Sequence, residues 1–489
     1  MLFNSIDFIL FFPVVTILFF ILPKRVRNVF LLACSCYFYM CWKAKYILLI
    51  GFSILATYLG GLLLDYFKKR QSRLLQNTVL WGTIGCNLLI LFVFKYYNFF
   101  AENVQAITGV ALPLFGFVLP VGISFYTFQA LGYVIDVYRG TTKAEKNLIT
   151  YALFISFYPQ LVAGPIERSD KLLPQIQKGT AFSYENMRSG LLLMGWGMFQ
   201  KVVIADRLVL FVDTVYEQYQ TVDGAYLLLA TVLFAFQIYC DFASYSNIAR
   251  GAARVMGYRL MLNFDTPYFS RGFAEYWSRW HISLSGWFQD YIFEPLAWGL
   301  KKYSWAPYFA VFVVFFVSGF WHGASWTYVI WGLLHAAFRI FGMLTRKGRK
   351  KLYKKLGVST KSTLFRSGQT LWVFLCVCFS YIFFRAASLE QAVGVIGQIV
   401  SGSHISTLFR PEFFSFGLDE KDFVVAVISL AVLWIADVLA YKKVDVYGWI
   451  TAQKRPVRWL IYWALLFSVV IFGVYGPSYD STPFIYFQF

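Results

Sequence analysis

Long apolar runs separated by short, strongly basic loops set the pattern of this 489-residue chain. Stretches 7–23, 28–42, 46–66, 79–99, 114–137, 148–163, 189–212, 224–242, 305–322, 325–344, 366–385, 422–441 and 457–475 each read as a candidate membrane span. A full helical crossing needs roughly 20 apolar residues. Several of these stretches are shorter than that, or carry Gly, Pro or charge. The pattern therefore predicts an all-α polytopic membrane protein with about 11–13 membrane segments, some of them broken or re-entrant. The whole chain, 1–489, reads as one membrane domain: N-terminal helices over 1–160, a core with a re-entrant segment over 161–345, and a basic loop with the last helices over 346–489.

The basic loops give an orientation. Lys24–Arg27, Lys68–Arg70, Arg139–Lys146, Arg346–Arg366 and Lys442–Arg458 are expected on the cytoplasmic side, with the positive-poor loops 101–112 and 386–421 outside. Both termini are then expected on the outer side of the membrane. No positive region precedes Phe8–Leu22, so this stretch is expected to persist as a first membrane helix rather than to be cleaved as a signal peptide.

Composition sharpens the class. Hydrophobic residues make up 59% of the chain and charged residues 14%, and mean hydropathy is +0.58. An ordinary soluble chain carries about 25% charged residues. The net charge of +19 sits in loops, which points to topology and to the lipid bilayer rather than to nucleic acid. The seven cysteines lie in apolar stretches without metal-ligand spacing, so no metal is expected. Walker, dinucleotide-binding and nucleophile-elbow sequences are missing, and no permanently bound cofactor is expected.

Charged groups inside apolar runs are the candidate chemistry, because an ionisable side chain at membrane depth is costly and usually faces a cavity or a partner. His322 is the clearest, in Gly319-Phe320-Trp321-His322-Gly323-Ala324-Ser325-Trp326 after an apolar run from Phe309 to Val317. It reads either as a general base held at depth or as a core histidine capping a broken helix. Ser325 is a nucleophile candidate or a helix N-cap. Asp241, after the run Leu227–Cys240, would orient an imidazole or pair with an arginine such as Arg250. Glu167 and Arg168 read as an interfacial ion pair, His335 as structural and His404 as solvated. From Phe273 to Trp298, aromatic residues alternate with Glu275, Arg279, His281, Asp290 and Glu294, as expected of an amphipathic or re-entrant segment lining a passage.

The run Tyr276-Trp277-Ser278-Arg279-Trp280-His281-Ile282-Ser283-Leu284-Ser285, followed by Gly319–Gly323, resembles the membrane-bound O-acyltransferase (MBOAT) superfamily, and within it the bacterial alginate O-acetylation branch. Met1–Ser5, Ser124–Gln129, Ile135–Tyr138, Ala163–Arg168, Lys201–Arg207, Gln237–Phe242 and Pro483–Phe489 extend the resemblance over the whole length. Ala243–Asn247 and Glu294–Trp298 depart from the usual pattern, which bears on loop geometry and on the acceptor or partner. The resemblance implies an MBOAT fold, His322 as the catalytic histidine and His281 as a second, supporting one. It implies acyl transfer, with acetyl-CoA or an acyl carrier protein as thioester donor on the cytoplasmic side. On the outer side it implies a hydroxyl acceptor, reached through an SGNH-type acetyltransferase that modifies a polysaccharide. Arg279, Trp277, Trp280, Trp287 and Ser283 are the candidate donor-binding residues, since arginine suits phosphate and aromatic walls suit an acyl–pantetheine arm; an aromatic belt with a snorkelling arginine is the alternative. D-alanyl transfer from a carrier protein, a glycan-precursor flippase and a membrane glycosyltransferase are the competing functions.

Overall fold

The structure, a computed structural model, describes residues 1–162 and 164–475. Ala163 of the Ala163–Arg168 motif and the closing motif Pro483–Phe489 lie outside the described residues. The described residues form helices and connecting turns with no strand, so the protein is an all-α, multi-pass membrane protein. Seven helical stretches are long and apolar enough to cross a membrane: Ala44–Lys69, Arg73–Thr108, Gly224–Val255, Trp326–Leu344, Thr363–Arg385, Glu420–Tyr441 and Arg455–Phe472. Two shorter apolar helices, Ile6–Ile21 and Ala306–His322, join them. The remaining expected spans are not long apolar helices: 28–42 lies in the continuous but more polar helix Lys24–Met40, and 114–137 is helical only from Ile123. Stretch 148–163 becomes two helices interrupted at Phe157.

Packing divides the described chain into two compact units. The first, residues 1–197 with 245–262, contains α1 (Ile6–Ile21), α2 (Lys24–Met40), α3 (Ile47–Lys69), α4 (Arg73–Leu91), α5 (Tyr97–Thr108), α6 (Ile123–Arg139), α7 (Leu148–Ser156), α8 (Tyr158–Leu161), α9 (Ser169–Lys178) and α10 (Tyr184–Met198). Helices α3, α4 and α6 pack on one another where Gly60 and Gly61 of α3 leave room for the side chains of Thr83 and Tyr133. A Cβ on Gly61 would lie 2.8 Å from the Tyr133 ring. Between these apolar faces runs a relay of hydroxyls: Tyr151 donates to Thr57 at 2.7 Å, Thr57 to the Ser53 carbonyl at 2.6 Å, and Ser53 to Asn87 at 2.6 Å. Each of these three hydroxyls so meets a partner within the protein. Glu167 is buried here, accepting the Met261 N–H at 2.7 Å, rather than lying in an exposed interfacial pair.

The second unit, residues 198–244 with 263–489, holds the remaining helices: α11 (Asp206–Glu217), most of α12 (Gly224–Val255), α13 (Phe273–Arg279), α14 (Ile282–Phe288), α15 (Glu294–Gly299), α16 (Ala306–His322), α17 (Trp326–Leu344), α18 (Arg346–Lys355), α19 (Thr363–Arg385), α20 (Leu389–Ser401), α21 (Glu420–Tyr441), α22 (Val446–Ala452) and α23 (Arg455–Phe472). Residues Phe199–Ala205, just before α11, are wound as a π-helix. The wider turn leaves the Val202 carbonyl to the Val474 N–H at 2.8 Å. The same turn carries Lys201 inward to two carboxylates, Asp206 at 2.8 Å and Asp241 at 2.6 Å. These charges explain why 189–212 is helical yet falls outside the apolar spans: they are paired in protein rather than exposed to lipid.

Candidate active site

His322 is the last residue of α16, at the tip of a tight hairpin with α17. Glycine makes the hairpin possible. A Cβ on Gly332 would sit 2.3 Å from the Phe315 carbonyl and 3.2 Å from the Gly319 Cα; one on Gly319 would sit 2.5 Å from the Tyr328 carbonyl. Only backbones without side chains come this close. Gly323 then leaves the helix in extended conformation, and the Ser325 side chain caps α17 by accepting the Thr327 N–H at 3.3 Å. Ser325 therefore plays the N-cap role in this geometry. The His322 imidazole is 2% exposed and is walled by rings: Trp331 at 4.7 Å, Trp321 at 5.0 Å and Phe384 of α19 at 5.3 Å between centroids.

The same Trp321 indole also meets His281, at 5.7 Å, so a single ring contacts both imidazoles. His281 is buried and adopts φ +44°, ψ +53°, a left-handed conformation that a non-glycine residue holds only under constraint. The constraint is Asn263. Its side-chain oxygen lies 3.2 Å from His281 Nδ1 and also accepts the Ser283 N–H at 3.2 Å and the Ser283 hydroxyl at 2.9 Å; its backbone carbonyl accepts the Ile282 N–H at 2.9 Å. Because that oxygen only accepts, Nδ1 carries the proton and Nε2 is the basic nitrogen of the neutral ring. Phe242 closes the other side, edge-on at 4.6 Å. Ser283 thus serves the His281 turn.

Asn263 escaped the sequence reading because an isolated asparagine before a turn carries no spacing signal. Replacing it with alanine frees the turn and lets His281 relax from φ > 0. The expected result is a fall in kcat on the order of 10²-fold with the donor KM little changed, since small misplacements of an orienting group cost about that much. Asn263→Asp, which keeps the acceptor, should recover most of the loss. Equal turnover for Asn263→Ala and wild type would remove His281 from the chemistry.

The other candidates fall into separate surroundings. Asp241 faces Lys201, not Arg250, whose guanidinium donates to Asn247 at 3.2 Å. Arg279 clamps its own segment. It contacts Glu275 at 3.1 Å, the Asp265 carbonyl at 3.0 Å and the Thr266 hydroxyl at 3.1 Å, and packs over Tyr441. Trp280 is buried against Phe264 and Tyr276, and Trp287 against Tyr291. His335 is held by Ser380 at 3.0 Å. His404 is exposed, its Nδ1 within hydrogen-bond distance of the Asp223 carboxylate at 2.8 Å.

Trp277 alone among the predicted donor-binding residues lines the cavity of about 480 Å³ beside α16. Val311, Val314, Phe315 and Ser318 form its wall along one face of that helix, and Ser278, Ser285 and Gln289 supply polar groups. Ser318 lies one turn, about 6 Å along the axis, before His322. The cation in this cavity is Arg339 of α17, half-buried and without a side-chain hydrogen bond or ion pair among the described residues. Its signal was present in the sequence, a lone charge in the apolar run that follows His335.

Comparison with known proteins bears on the chain as a whole. The sequence model of "MBOAT, membrane-bound O-acyltransferase family" matches residues 144–352, which span His281, His322 and the cavity. A "Probable alginate O-acetylase AlgI" of Pseudomonas putida is 33% identical over 100% of both chains. A "Peptidoglycan O-acetyltransferase" of Helicobacter pylori is 31% identical over 83% of this chain and 81% of its own length. A "Teichoic acid D-alanyltransferase" of Bacillus subtilis is 27% identical over 66% of this chain and 80% of its own. The all-α membrane fold, the buried histidine at the hairpin tip and full-length similarity lead to one assignment: this chain belongs to the membrane-bound O-acyltransferase family and is an acyltransferase that works within a membrane.

Proposed function

We propose that the protein moves an acetyl group from acetyl-CoA, on the side of the membrane where its basic loops cluster, to a hydroxyl presented from the opposite side, for O-acetylation of a cell-surface or exported polysaccharide. The observation that carries this reading is the cavity beside α16, which runs from Val311 to Ser318 and stops one helical turn short of His322. Its volume is in the range of small-molecule sites, about 300–1,000 Å³. Apolar walls suit the thioester arm. Arg339 suits a phosphate-bearing portion of the donor, and the serines and Gln289 suit amides along the arm.

His322 would take the proton of the acceptor hydroxyl as that oxygen attacks the thioester carbonyl. The C–S bond then breaks, and the thiol leaves with a proton returned from the imidazole. His281, its basic Nε2 set by Asn263, is the supporting group. The acceptor could be the polymer itself or the serine of an SGNH-type extracytoplasmic partner that passes the group on. Relatives named as alginate and peptidoglycan O-acetylating proteins support a polysaccharide as the final acceptor. The D-alanyltransferase relative supports a carrier-protein thioester as the second donor class, over a smaller share of the chain.

Labelled acetyl-CoA tests the reading directly. The purified protein should cleave it or transfer the label to a polysaccharide or partner acceptor. Arg339→Gln should raise the donor KM by about tenfold with kcat retained, as expected for one lost charged hydrogen bond of roughly 1.5–3 kcal/mol. A wild-type protein that neither binds nor turns over acetyl-CoA, yet accepts a D-alanyl carrier protein, would replace the donor proposed here.

A further inference from the structure

The second unit contains another cavity, of about 510 Å³, among α12, α19, α21 and the turn before α13. Its walls follow helical spacing: Thr363, Ser367, Thr370 and Phe374 along α19, and Leu433, Asp437 and Tyr441 along α21. Leu371 and Trp434 border it with 57% and 61% of their surfaces exposed, so it opens on the outward, apolar face of two membrane spans. An acyl chain of the bilayer can reach it without entering the protein interior.

Its charges are of both signs. Arg366 is exposed in the first turn of α19 and makes no side-chain hydrogen bond or ion pair among the described residues. Arg271 is exposed too, its Nε 3.8 Å from Glu275, a carboxylate that Arg279 also engages. Asp437 is half-buried, one turn before the end of α21, and accepts the Tyr239 hydroxyl at 3.1 Å. Neither arginine is ion-paired with Asp437. These groups lie near helix ends adjoining basic sequence, α18 before α19 and Lys442–Lys443 after α21. Such ends sit at the level of lipid headgroups.

Two guanidiniums and one carboxylate at the rim of an apolar slot complement a phosphate–ammonium zwitterion with acyl chains attached. A purely anionic headgroup would satisfy the arginines but bring no ammonium donor to Asp437, whose one side-chain partner among the described residues is the Tyr239 hydroxyl. We propose that this cavity is a binding site for a phosphatidylethanolamine-type phospholipid. Its phosphate lies on Arg271 and Arg366, its ammonium on Asp437, and an acyl chain against Leu371, Phe374 and Leu433. The proposal is independent of the acyl-transfer reading, since it uses neither His322 nor the cavity beside α16.

The test uses the full chain, purified in detergent and stripped of lipid. Short-chain phosphatidylethanolamine, short-chain phosphatidylglycerol, free phosphoethanolamine and inorganic phosphate are compared by thermal unfolding and native mass spectrometry. Phosphatidylethanolamine should bind wild type roughly tenfold more tightly than phosphatidylglycerol, and the two soluble compounds more weakly still. Arg366→Gln should weaken it by about tenfold, and Asp437→Asn should abolish the preference between the two lipids. Equal affinity of wild type for the two lipids, or for inorganic phosphate alone, would overturn the proposal, and this comparison needs no variant to fold. Undiminished phosphatidylethanolamine binding by a folded Arg271→Gln, Arg366→Gln double variant would overturn it as well.

Discussion

His322→Ala should reduce acyl transfer by at least about 10²–10⁴-fold, the usual contribution of a positioned general base, with donor binding nearly unchanged. The separation of the two effects follows from position. The imidazole ends α16 among Trp321, Trp331 and Phe384, whereas the cavity proposed for the donor is walled by residues from Val311 to Ser318 and by Arg339. Truncation therefore removes the base and leaves the donor-facing wall intact. It also opens a small void among three large rings, so part of any activity loss could arise from looser packing. His322→Gln distinguishes the two: it keeps a polar side chain of similar bulk but provides no base at neutral pH. Both variants should show the same deep loss in single-turnover transfer, while thermal midpoints in detergent fall only for alanine. If His322→Gln, folded and binding acetyl-CoA, transfers within tenfold of wild type, His322 is not the base.

Much of this site could be read from sequence because burying charge in a membrane protein leaves a visible mark. His322 and Asp241 each interrupt an apolar run, and the cost of placing them there marks them for attention whatever their partners; Arg339 carries the same mark but is singled out for no role in the sequence reading. What the runs do not encode is the partner. Asp241 meets Lys201 because a π-helical turn, not detectable from apolar periodicity, rotates that lysine inward. Arg279 fits a phosphate-binding motif equally well by type, and the turn that brings Asp265 and Thr266 beside it, together with Glu275, fixes its guanidinium in place. The long spans were legible for the simpler reason that each must satisfy its own backbone in lipid. The short helices α13, α14 and α15 were legible only as a polar-aromatic stretch. The break between α13 and α14 depends on the left-handed turn at His281 and on Asn263, which no spacing rule marks, and α14 runs into α15 through the π-helical stretch Gln289–Phe293.

Lys201→Met should be among the most destabilising single substitutions in the second unit, by about 3–5 kcal/mol, the usual result of removing one partner from a buried ion pair. The side chains of Lys201, Asp206 and Asp241 are 2%, 8% and 7% exposed, and the lysine bridges both carboxylates. Methionine fills the volume but leaves two buried carboxylates facing each other without their shared cation. Asp241→Asn should cost less than Lys201→Met, because it leaves a one-to-one pair between Lys201 and Asp206 and an amide that still accepts from the ammonium. Combining Lys201→Met with Asp206→Asn and Asp241→Asn removes every charge and should recover much of the stability lost by Lys201→Met alone, a non-additive result read by comparing the triple variant with the three single ones. The effect should also reach the chemistry. Asp241 precedes Phe242 on α12, and the Phe242 ring closes edge-on against His281 at 4.6 Å. Lys201→Met protein that remains folded at low temperature should therefore lose kcat before it loses donor affinity. If its thermal midpoint matches that of Asp241→Asn, the two carboxylates do not share one cation in the way that sets the register of α12 beside His281.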